Sequence, residues 1–328
     1  MESNIKLDNK NGSWLNEKPE IKLLDCTIRD GGLVNNFHFE EEFVRALYHT
    51  LIEMNVDYME IGKICSEKAM DPKEYGPWNF CKEEDIRRIV GLNRSNLKIA
   101  VMADVGRTFK EQIVPKDRSV VDLIRVATYN HQIPEAIELI NHAHDMGYET
   151  TVNLMAISKL NEQDLSDALN TVIKTPIDII YVVDSFGSFY SEEIRNLTKK
   201  YVQLAKEHGK LVGIHAHNNQ QLAYANTIES VMLGCNVLDA TAGGLGRGAG
   251  NCPLELLMGM LKSPKYNMLP LLKYIQEYIT PLRQKLRWGY DIPYMITGQL
   301  NEHPRSAINF INNGEKDYLG LYNTLAVK

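Results

Sequence analysis

The stretch 211-LVGIHAHN-218 is the starting point for interpreting this chain. It begins as a short apolar run, which is typical of a buried β-strand, and it ends in His215-Ala216-His217. Because side chains two residues apart in a strand point to the same face, both imidazoles leave the strand on one side. Two imidazoles on one face are half of a divalent metal site, although two ordinary surface histidines at a strand end would show the same pattern.

Seven other β-prone runs share the length of this one. Most are continuously apolar rather than alternating, as expected for strands of a parallel sheet that is covered on both faces. The predicted strands are 21–26, 57–61, 98–102, 121–127, 149–155, 178–183, 211–215 and 236–241.

Segments with helical periodicity lie between the strands. Serine or acidic residues near their starts and glycine after their ends mark helix boundaries. The clearest predicted helices are 39–54, 133–146, 191–208 and 219–233.

Eight strands, each followed by a helix, over about 240 residues predict an α/β fold of the TIM (β/α)₈ barrel type. The alternative is a doubly wound open sheet, which we favour less because no GxGxxG follows the first strand. We assign the barrel to residues 21–262, a small helical C-terminal extension to 263–328 and a flexible polar tail to 1–20.

Composition narrows the class of protein. The chain has 328 residues and a net charge of −6, without the basic stripe that nucleic-acid binding requires. It shows no apolar run long enough to cross a bilayer, so we expect no membrane partner. The five cysteines include no CxxC pair, which favours a reducing compartment, and the predicted location is cytoplasmic.

In such barrels the active site lies at the C-terminal ends of the strands. The first strand leads into Arg29-Asp30, where the carboxylate can bind a metal and the guanidinium can hold an anionic oxygen. A surface ion pair is the simpler alternative. Glu60, at the end of the second strand, could contact a metal ligand and fix its orientation. Alternatively, it could pair with Lys63 or Arg29.

Two other strand ends carry candidates for substrate and metal binding. Asp184-Ser185 after the sixth strand could bind substrate oxygens, or simply cap the next helix. The run 243-GGLGRGAGN-251 could approach a ligand closely through Gly244 and Gly246, but it lacks the GK[ST] ending of a P-loop. Asn251 could supply a carbonyl oxygen to a hard cation.

Taken together, D-x-T-x-R-D-G, E-I-G, H-x-H-N and G-G-L-G-x-G-x-G-N resemble the DRE-TIM metallolyase superfamily. This superfamily includes 3-hydroxy-3-methylglutaryl-CoA lyase, 4-hydroxy-2-oxovalerate aldolase, and the isopropylmalate and homocitrate synthases. The resemblance covers roughly residues 21–262. The short glycine loop and the C-terminal helices are most similar to the 4-hydroxy-2-oxovalerate aldolase branch.

The resemblance implies a metal-dependent aldolase, a carbon–carbon lyase that acts on a 2-oxo acid through a pyruvate enolate. It implies that Asp30, His215 and His217 bind the metal and that Asn251 is placed like a fourth ligand. The metal would be Mg²⁺ or Mn²⁺, with Zn²⁺ or Co²⁺ as alternatives. The substrates would be a small 2-oxo acid and an aldehyde.

The same resemblance assigns catalytic roles and exposes one departure. Arg29 would steady the enolate oxygen, and Glu60 would lie beside metal-bound water. The aldolase branch reads R-D-G-x-H, with that histidine as the base, whereas this chain has Leu33 there. We take His38 as the replacement base in our site assignment, with a water helped by Glu60 as one alternative. Further alternatives in the C-terminal segment are Tyr290, Tyr294 and His303.

Two other functions stay open at this point. One is a Claisen-type condensation of an acyl-CoA with a 2-oxo acid, as in isopropylmalate synthase. The other is a barrel that binds metal as a subunit without turnover, which the loss of the histidine at Leu33 suggests. The resemblance also implies an aldehyde dehydrogenase partner bound through the C-terminal helices, and those helices could instead form a homodimer.

Overall fold

A computed structural model describes residues 21–261 and 263–327. The polar tail predicted for residues 1–20 lies outside the described residues. The described strands are β1 (Lys22–Asp25), β2 (Tyr58–Lys63), β3 (Lys98–Asp104), β4 (Leu123–Thr128), β5 (Glu149–Leu154), β6 (Ile179–Asp184), β7 (Leu211–Ala216) and β8 (Val237–Ala240).

These strands are parallel and close into a barrel in chain order. Each pairs with the next, and β8 returns to β1 with Lys22 opposite Val237 and Asp25 opposite Ala240. The pairing of first and last strands rules out the open-sheet alternative, and the predicted TIM barrel is confirmed. The strands are buried along nearly their whole length, which explains their continuous apolar runs.

Helices surround the barrel and continue beyond it. Those between or just after the strands are α1 (Thr27–Asn35), α2 (Glu41–Glu53), α3 (Glu83–Val90), α4 (Ile133–Asp145), α5 (Glu162–Val172), α6 (Ser191–Glu207), α7 (Ala223–Met232) and α8 (Leu254–Leu261). The later ones are α9 (Leu269–Tyr274), α10 (Thr280–Arg283), α11 (Ile292–Gln299), α12 (Arg305–Asn312) and α13 (Tyr318–Ala326).

Helix α1 was not expected, because Gly31 and Gly32 lie inside it and glycine disfavours helices. Tight packing accounts for both glycines. A Cβ on Gly32 would lie 2.2 Å from the ring of Phe37, and a Cβ on Gly31 would lie 2.7 Å from Leu245. The helix therefore lies close against the loop after β8, and its first turn carries Arg29 and Asp30, both buried.

The predicted helical extension is also present. Between α9 and α10 the helix widens into a π-helical turn, Ile275–Ile279, just before Pro281. Proline has no N–H and crowds the preceding turn, which explains the widening. Tyr294 of α11 and Ala307 of α12 form a buried cluster with Ala249 of the glycine loop. The extension thus reaches the mouth of the barrel, while a domain boundary at residue 262 stays a prediction.

Within the described residues, no helix combines the length and apolar character needed to span a bilayer. All five cysteines are buried and free.

Candidate metal centre and active-site cavity

The structure brings the predicted ligands Asp30, His215 and His217 together at the end of β7. Asp30 Oδ2 lies 3.1 Å from His215 Nε2 and 3.8 Å from His217 Nε2. One ligand atom from each of the three lies within 4.8 Å of the others, and all three side chains are buried. The i, i+2 spacing on the strand works as predicted, because both imidazoles point to the same face.

Asn251 completes this group. Its backbone bridges to that of His217, and its side-chain nitrogen donates to Leu245 O at 3.3 Å. Within the described residues, its Oδ1 is buried and has no hydrogen-bond partner. A buried amide oxygen without a partner needs an explanation, and a cation is one that it can coordinate. A carboxylate, two imidazoles and an amide oxygen therefore fit a divalent metal ion, and we call these four residues the metal quartet.

The charge states of the quartet suit metal binding. Burial lowers the pKa of His217 to about 3, more than the neighbouring Asp30 charge raises it, so this imidazole is neutral at pH 7. Burial raises the pKa of Asp30, but Arg29 and His217 lower it further, and the net shift is well below the ordinary value. The quartet thus offers one ionised carboxylate, the neutral imidazole of His217 and the neutral amide of Asn251. Burial lowers the pKa of His215, but its hydrogen bonds to Asp239 and Asp30 outweigh burial and the net shift is upward.

A line of buried charges supports the quartet from inside the barrel. His215 Nδ1 lies 3.0 Å from Asp239 Oδ2, and Arg125 Nη2 donates to the same oxygen at 2.5 Å. Arg125 Nη1 lies 2.9 Å from Glu60 Oε2, to which Arg29 Nε donates at 2.7 Å. We call these five residues the charge chain. Each member fixes its neighbour, so the orientations of His215 and Arg29 are coupled.

Arg29 connects the charge chain to the metal quartet. Its Nη1 donates to Asp30 Oδ2 at 2.7 Å, and its Nη2 lies 3.5 Å from His215 Nε2. Burial lowers the pKa of Arg29, but Glu60 and Asp30 outweigh it and the net shift is upward, so the side chain is a fixed cation. Glu60 is fully buried and pairs with Arg29, as one of the sequence-based alternatives stated.

The quartet opens into a cavity of about 530 Å³. Arg29, His215 and His217 lie on its wall, together with Ser185. Leu33 also lies there, so the position of the missing histidine faces the cavity. The other side chains with polar or aromatic chemistry on this wall are Lys63, Asp104, Arg107, Tyr129, Gln132, Asn153, Phe186, Arg247, His303 and Arg305.

Our assignment of His38 as the base is not supported by its position. His38 is exposed, its Nε2 lies 3.1 Å from Glu74 O, and it is not part of the described cavity wall. The positive φ angles of Asn36 and Phe37 turn the chain at this point, and sequence spacing cannot reveal such a turn. Of the C-terminal alternatives, Tyr290 is largely exposed and Tyr294 is buried in the cluster with Ala249.

His303, in contrast, lies on the cavity wall. Burial, with a smaller contribution from the Arg247 charge, lowers its pKa to about 4. The ring is edge-on to Phe186, with 5.5 Å between ring centroids. His303 is therefore a neutral imidazole at pH 7, and the extension supplies it to the barrel mouth.

The predicted substrate-binding residues divide into two groups. Ser185 is on the wall, where its Oγ accepts from Ala156 N at 2.9 Å. Asp184 instead accepts from Ser188 N at 2.9 Å, and burial raises its pKa to about 7, so it caps the loop after β6.

The two glycines are not on the described wall either. A Cβ on Gly246 would lie 2.2 Å from Asn251 Nδ2 and 3.1 Å from Asp30 Oδ1. Gly244, with a φ of 64°, accepts the backbone N–H of Asn251 at 3.2 Å. These glycines allow the loop to approach the metal quartet, rather than forming a surface for substrate.

Two interactions at the site could not be predicted from local sequence patterns. Lys63 Nζ and Asp104 Oδ2 form a buried ion pair of 2.7 Å on the cavity wall. Arg125 and Asp239 complete the charge chain from inside β4 and β8. An arginine within an apolar strand was the available signal, because a buried charge needs a partner.

Fold and site together define a metal-dependent lyase of the TIM-barrel type. The model of the HMGL-like family matches residues 20–276, and the chain belongs to this family. It is 30% identical over 241 residues to oxaloacetate decarboxylase from Mycobacterium tuberculosis, covering 73% of this chain and 69% of that one. It is 28% identical over 270 residues to 4-hydroxy-2-oxovalerate aldolase from Pelotomaculum thermopropionicum, covering 82% and 78%.

Among solved structures, it resembles the N-terminal domain of a proposed aldolase from Bacteroides vulgatus, with a TM-score of 0.75 and 30% identity. That match covers 89% of this chain and 97% of the other. The predicted superfamily and the prediction of an aldolase-type carbon–carbon lyase are thereby confirmed. Divalent metal use is a property of this family of metallolyases.

Proposed function

We propose that this protein is a metal-dependent aldolase that breaks and forms the carbon–carbon bond between C3 and C4 of a 4-hydroxy-2-oxo acid, with pyruvate enolate as intermediate. The observation that carries the proposal is the metal quartet with Arg29 held against it at the wall of one cavity. The 4-hydroxy-2-oxovalerate aldolases among the relatives support this reaction class.

A divalent ion held by the quartet would act as a Lewis acid on the keto oxygen of the substrate. Arg29 places a permanent positive charge beside the same position, where negative charge develops as the enolate forms. Glu60 fixes the guanidinium through Nε, so that its position is set before substrate arrives. The chain therefore contributes a fixed cation at the reacting oxygen.

We propose His303 as the group that takes the proton from the substrate hydroxyl in cleavage. It is a neutral imidazole on the cavity wall, whereas Leu33 cannot accept a proton. Its Nδ1 accepts the backbone N–H of Arg305 at 3.0 Å, so this hydrogen bond has to open for Nδ1 to take the proton. His303 takes the place of His38, which is exposed and is not part of the described cavity wall.

We propose Mn²⁺ or Mg²⁺ as the metal, since carboxylate and amide oxygens suit both, and the two imidazoles favour Mn²⁺ of these. Zn²⁺ and Co²⁺ stay alternatives. We also propose a cytoplasmic location, which the five free buried cysteines support.

For the aldehyde dehydrogenase partner we propose the exposed surface of the extension, where Leu269 in α9 and Leu319 in α13 are 73% and 78% exposed. A homodimer through the same helices is the alternative. Light scattering of the chain alone, and with an aldehyde dehydrogenase that uses the same aldehyde, separates the two.

A second candidate is decarboxylation of a 2-oxo diacid such as oxaloacetate. Leu33 on the cavity wall favours it, because loss of CO₂ also leaves an enolate but requires no base to deprotonate a hydroxyl. The relative from Mycobacterium tuberculosis carries this activity in its name.

One experiment separates these reactions. The protein is loaded with Mn²⁺, and pyruvate release is followed with lactate dehydrogenase from 4-hydroxy-2-oxopentanoate and from oxaloacetate. Faster release from the hydroxy acid supports the aldolase, and release from oxaloacetate alone supports the decarboxylase. Thiol release from acetyl-CoA with added 2-oxo acids would instead support a Claisen-type condensation, and no reaction in any arm would support a binding subunit.

A further inference from the structure

The cavity contains a second group of charges beyond the metal quartet. Arg247, in the glycine loop after β8, and Arg305, at the start of α12, both lie on its wall. Neither is used by the chemistry described above. Their surroundings show what they could bind.

Arg247 is anchored at both ends. Its backbone N–H donates to Asp30 Oδ1 at 3.3 Å, which places the residue directly beside the metal quartet. Its Nη2 donates to the carbonyl oxygen of Ser185 at 3.2 Å. Among the described residues, its buried Nε has no partner and no carboxylate lies within 4 Å of the guanidinium. This cation therefore contacts only neutral acceptors.

Arg305 is similarly uncompensated. No ion pair to it occurs in residues 21–261 and 263–327, and its side chain is exposed toward the cavity mouth. The nearest acidic residue in sequence, Glu302, is occupied by Lys159 at 2.7 Å. The start of α12 thus brings a free guanidinium to the cavity.

The charges on the wall do not cancel. Asp104 is the one acidic side chain on the described wall, and Lys63 holds it at 2.7 Å. Arg29 is paired with Asp30 and Glu60 behind the wall. An anion between the two free arginines would satisfy their unpaired donors.

We propose that Arg247 and Arg305 form a subsite for a second anionic group, a carboxylate or a phosphate, at the far end of the substrate from its 2-oxo acid head. The inference rests on the proposed function, because that function places the head on the metal quartet. It narrows the substrate from any 2-oxo acid to one with anionic groups at both ends, so that the released fragment is an anionic aldehyde or CO₂ rather than a neutral aldehyde.

The size of the cavity agrees with such a substrate. About 530 Å³ is within the range of pockets that enclose small metabolites and leaves room beyond a three-carbon head group. Guanidinium groups recognise carboxylate and phosphate through their planar donor fork, so both anions share the chemistry that the subsite offers. A neutral methyl tail would leave the fork unsatisfied.

The test compares two ligands of equal length that do not require turnover. Calorimetry of the Mn²⁺-loaded protein measures the Kd of 2-oxopentanoate, which ends in a methyl group, and of 2-oxoglutarate, which ends in a carboxylate. We expect 2-oxoglutarate to bind about 10-fold tighter or more. A third ligand, 2-oxo-4-phosphonobutanoate, distinguishes the sources, because tighter binding than 2-oxoglutarate assigns the subsite to phosphate.

Substitution of each arginine tests whether Arg247 and Arg305 cause the difference between the two Kd values. Arg247→Gln and Arg305→Gln should each reduce the ratio of the two Kd values by several-fold, whereas Arg94→Gln, which removes an exposed charge outside the wall, should not. Because Arg305 is exposed, its variant tests the proposal even where Arg247→Gln does not fold.

Any of three results would overturn the subsite. They are a ratio of the two Kd values near one in the wild type, no detectable binding of either ligand, and a ratio that neither variant changes. Proton exchange of pyruvate is measured separately on the same preparation. If pyruvate does not exchange its protons but 2-oxoglutarate still binds more tightly than 2-oxopentanoate, the aldolase reaction is refuted and the subsite is not.

Discussion

His215 lies between two carboxylates, with Asp239 Oδ2 3.0 Å from Nδ1 and Asp30 Oδ2 3.1 Å from Nε2. Burial lowers the pKa of His215, but hydrogen bonds to Asp239 and Asp30 outweigh it and the net shift is upward. A proton on Nδ1 shared with Asp239 leaves Nε2 as the atom that faces the quartet. This is the arrangement by which an outer carboxylate orients a metal-binding imidazole.

Asp239→Asn should therefore weaken Mn²⁺ binding by about 10- to 100-fold, because the amide no longer holds the ring with a charge. The measurement is Mn²⁺ titration followed by electron paramagnetic resonance. Asp145→Asn, at an exposed position at the end of α4, is the matched control and should leave the affinity unchanged. Equal affinity of Asp239→Asn and wild type would remove Asp239 from the metal site.

His217→Ala should weaken Mn²⁺ binding by more than the Asp239 variant, since it deletes a donor rather than its support. His144→Ala is a suitable control, because His142 and His144 repeat the H-x-H spacing on helix α4, where residues two apart do not share a face. The same titration compares both variants. Similar affinities for His217→Ala and His144→Ala would contradict the metal quartet.

This pair of histidine motifs shows what sequence can predict. Strand periodicity directs His215 and His217 to one face, whereas helix periodicity directs His142 and His144 of α4 to different faces. Both conclusions depend only on local backbone geometry. Asp30 lies with the two histidines, and Asn251 bridges to the backbone of His217, because parallel barrel strands end at one face, which the repeat of strands and helices predicts.

Arg29→Lys should retain most metal affinity and lose turnover by about 100-fold or more, because an ammonium cannot bond Glu60 and Asp30 at once and still face the reacting oxygen. The kcat for pyruvate release and the Mn²⁺ affinity are measured on the same preparation. Arg195→Lys, at an exposed pair with Glu229, controls for the substitution itself. Turnover close to wild type would exclude Arg29 from the mechanism.

His303→Gln should lower kcat for cleavage of a 4-hydroxy-2-oxo acid by about 100-fold or more, with little change in metal affinity. In the wild type, activity that needs neutral His303 should be full above its pKa of about 4 and decline as the pH falls through that value. His49→Gln, on the exposed face of α2, serves as the control. An unchanged kcat in His303→Gln would show that His303 is not the base and that another group on the cavity wall takes the proton.

What the sequence did not predict depends on long-range packing. Arg125 acquires its role only because Glu60 and Asp239 face it across the barrel interior, and it also stacks 4.4 Å from the centre of the Tyr181 ring. His303 reaches the cavity because α11 and α12 fold back onto the glycine loop. No local periodicity encodes either contact, so only the charge of Arg125 within an apolar strand gave a hint.

The central claim is that the metal quartet and Arg29 stabilise the enolate of pyruvate. Mass spectrometry of pyruvate incubated in D₂O with the protein and Mn²⁺ tests this most directly, because it requires neither the aldehyde nor the base for cleavage. We expect deuterium to replace the C3 protons faster than with Mn²⁺ alone, and this gain to be lost in His217→Ala. Exchange no faster than with Mn²⁺ alone would contradict the claim and favour a metal-binding barrel without turnover.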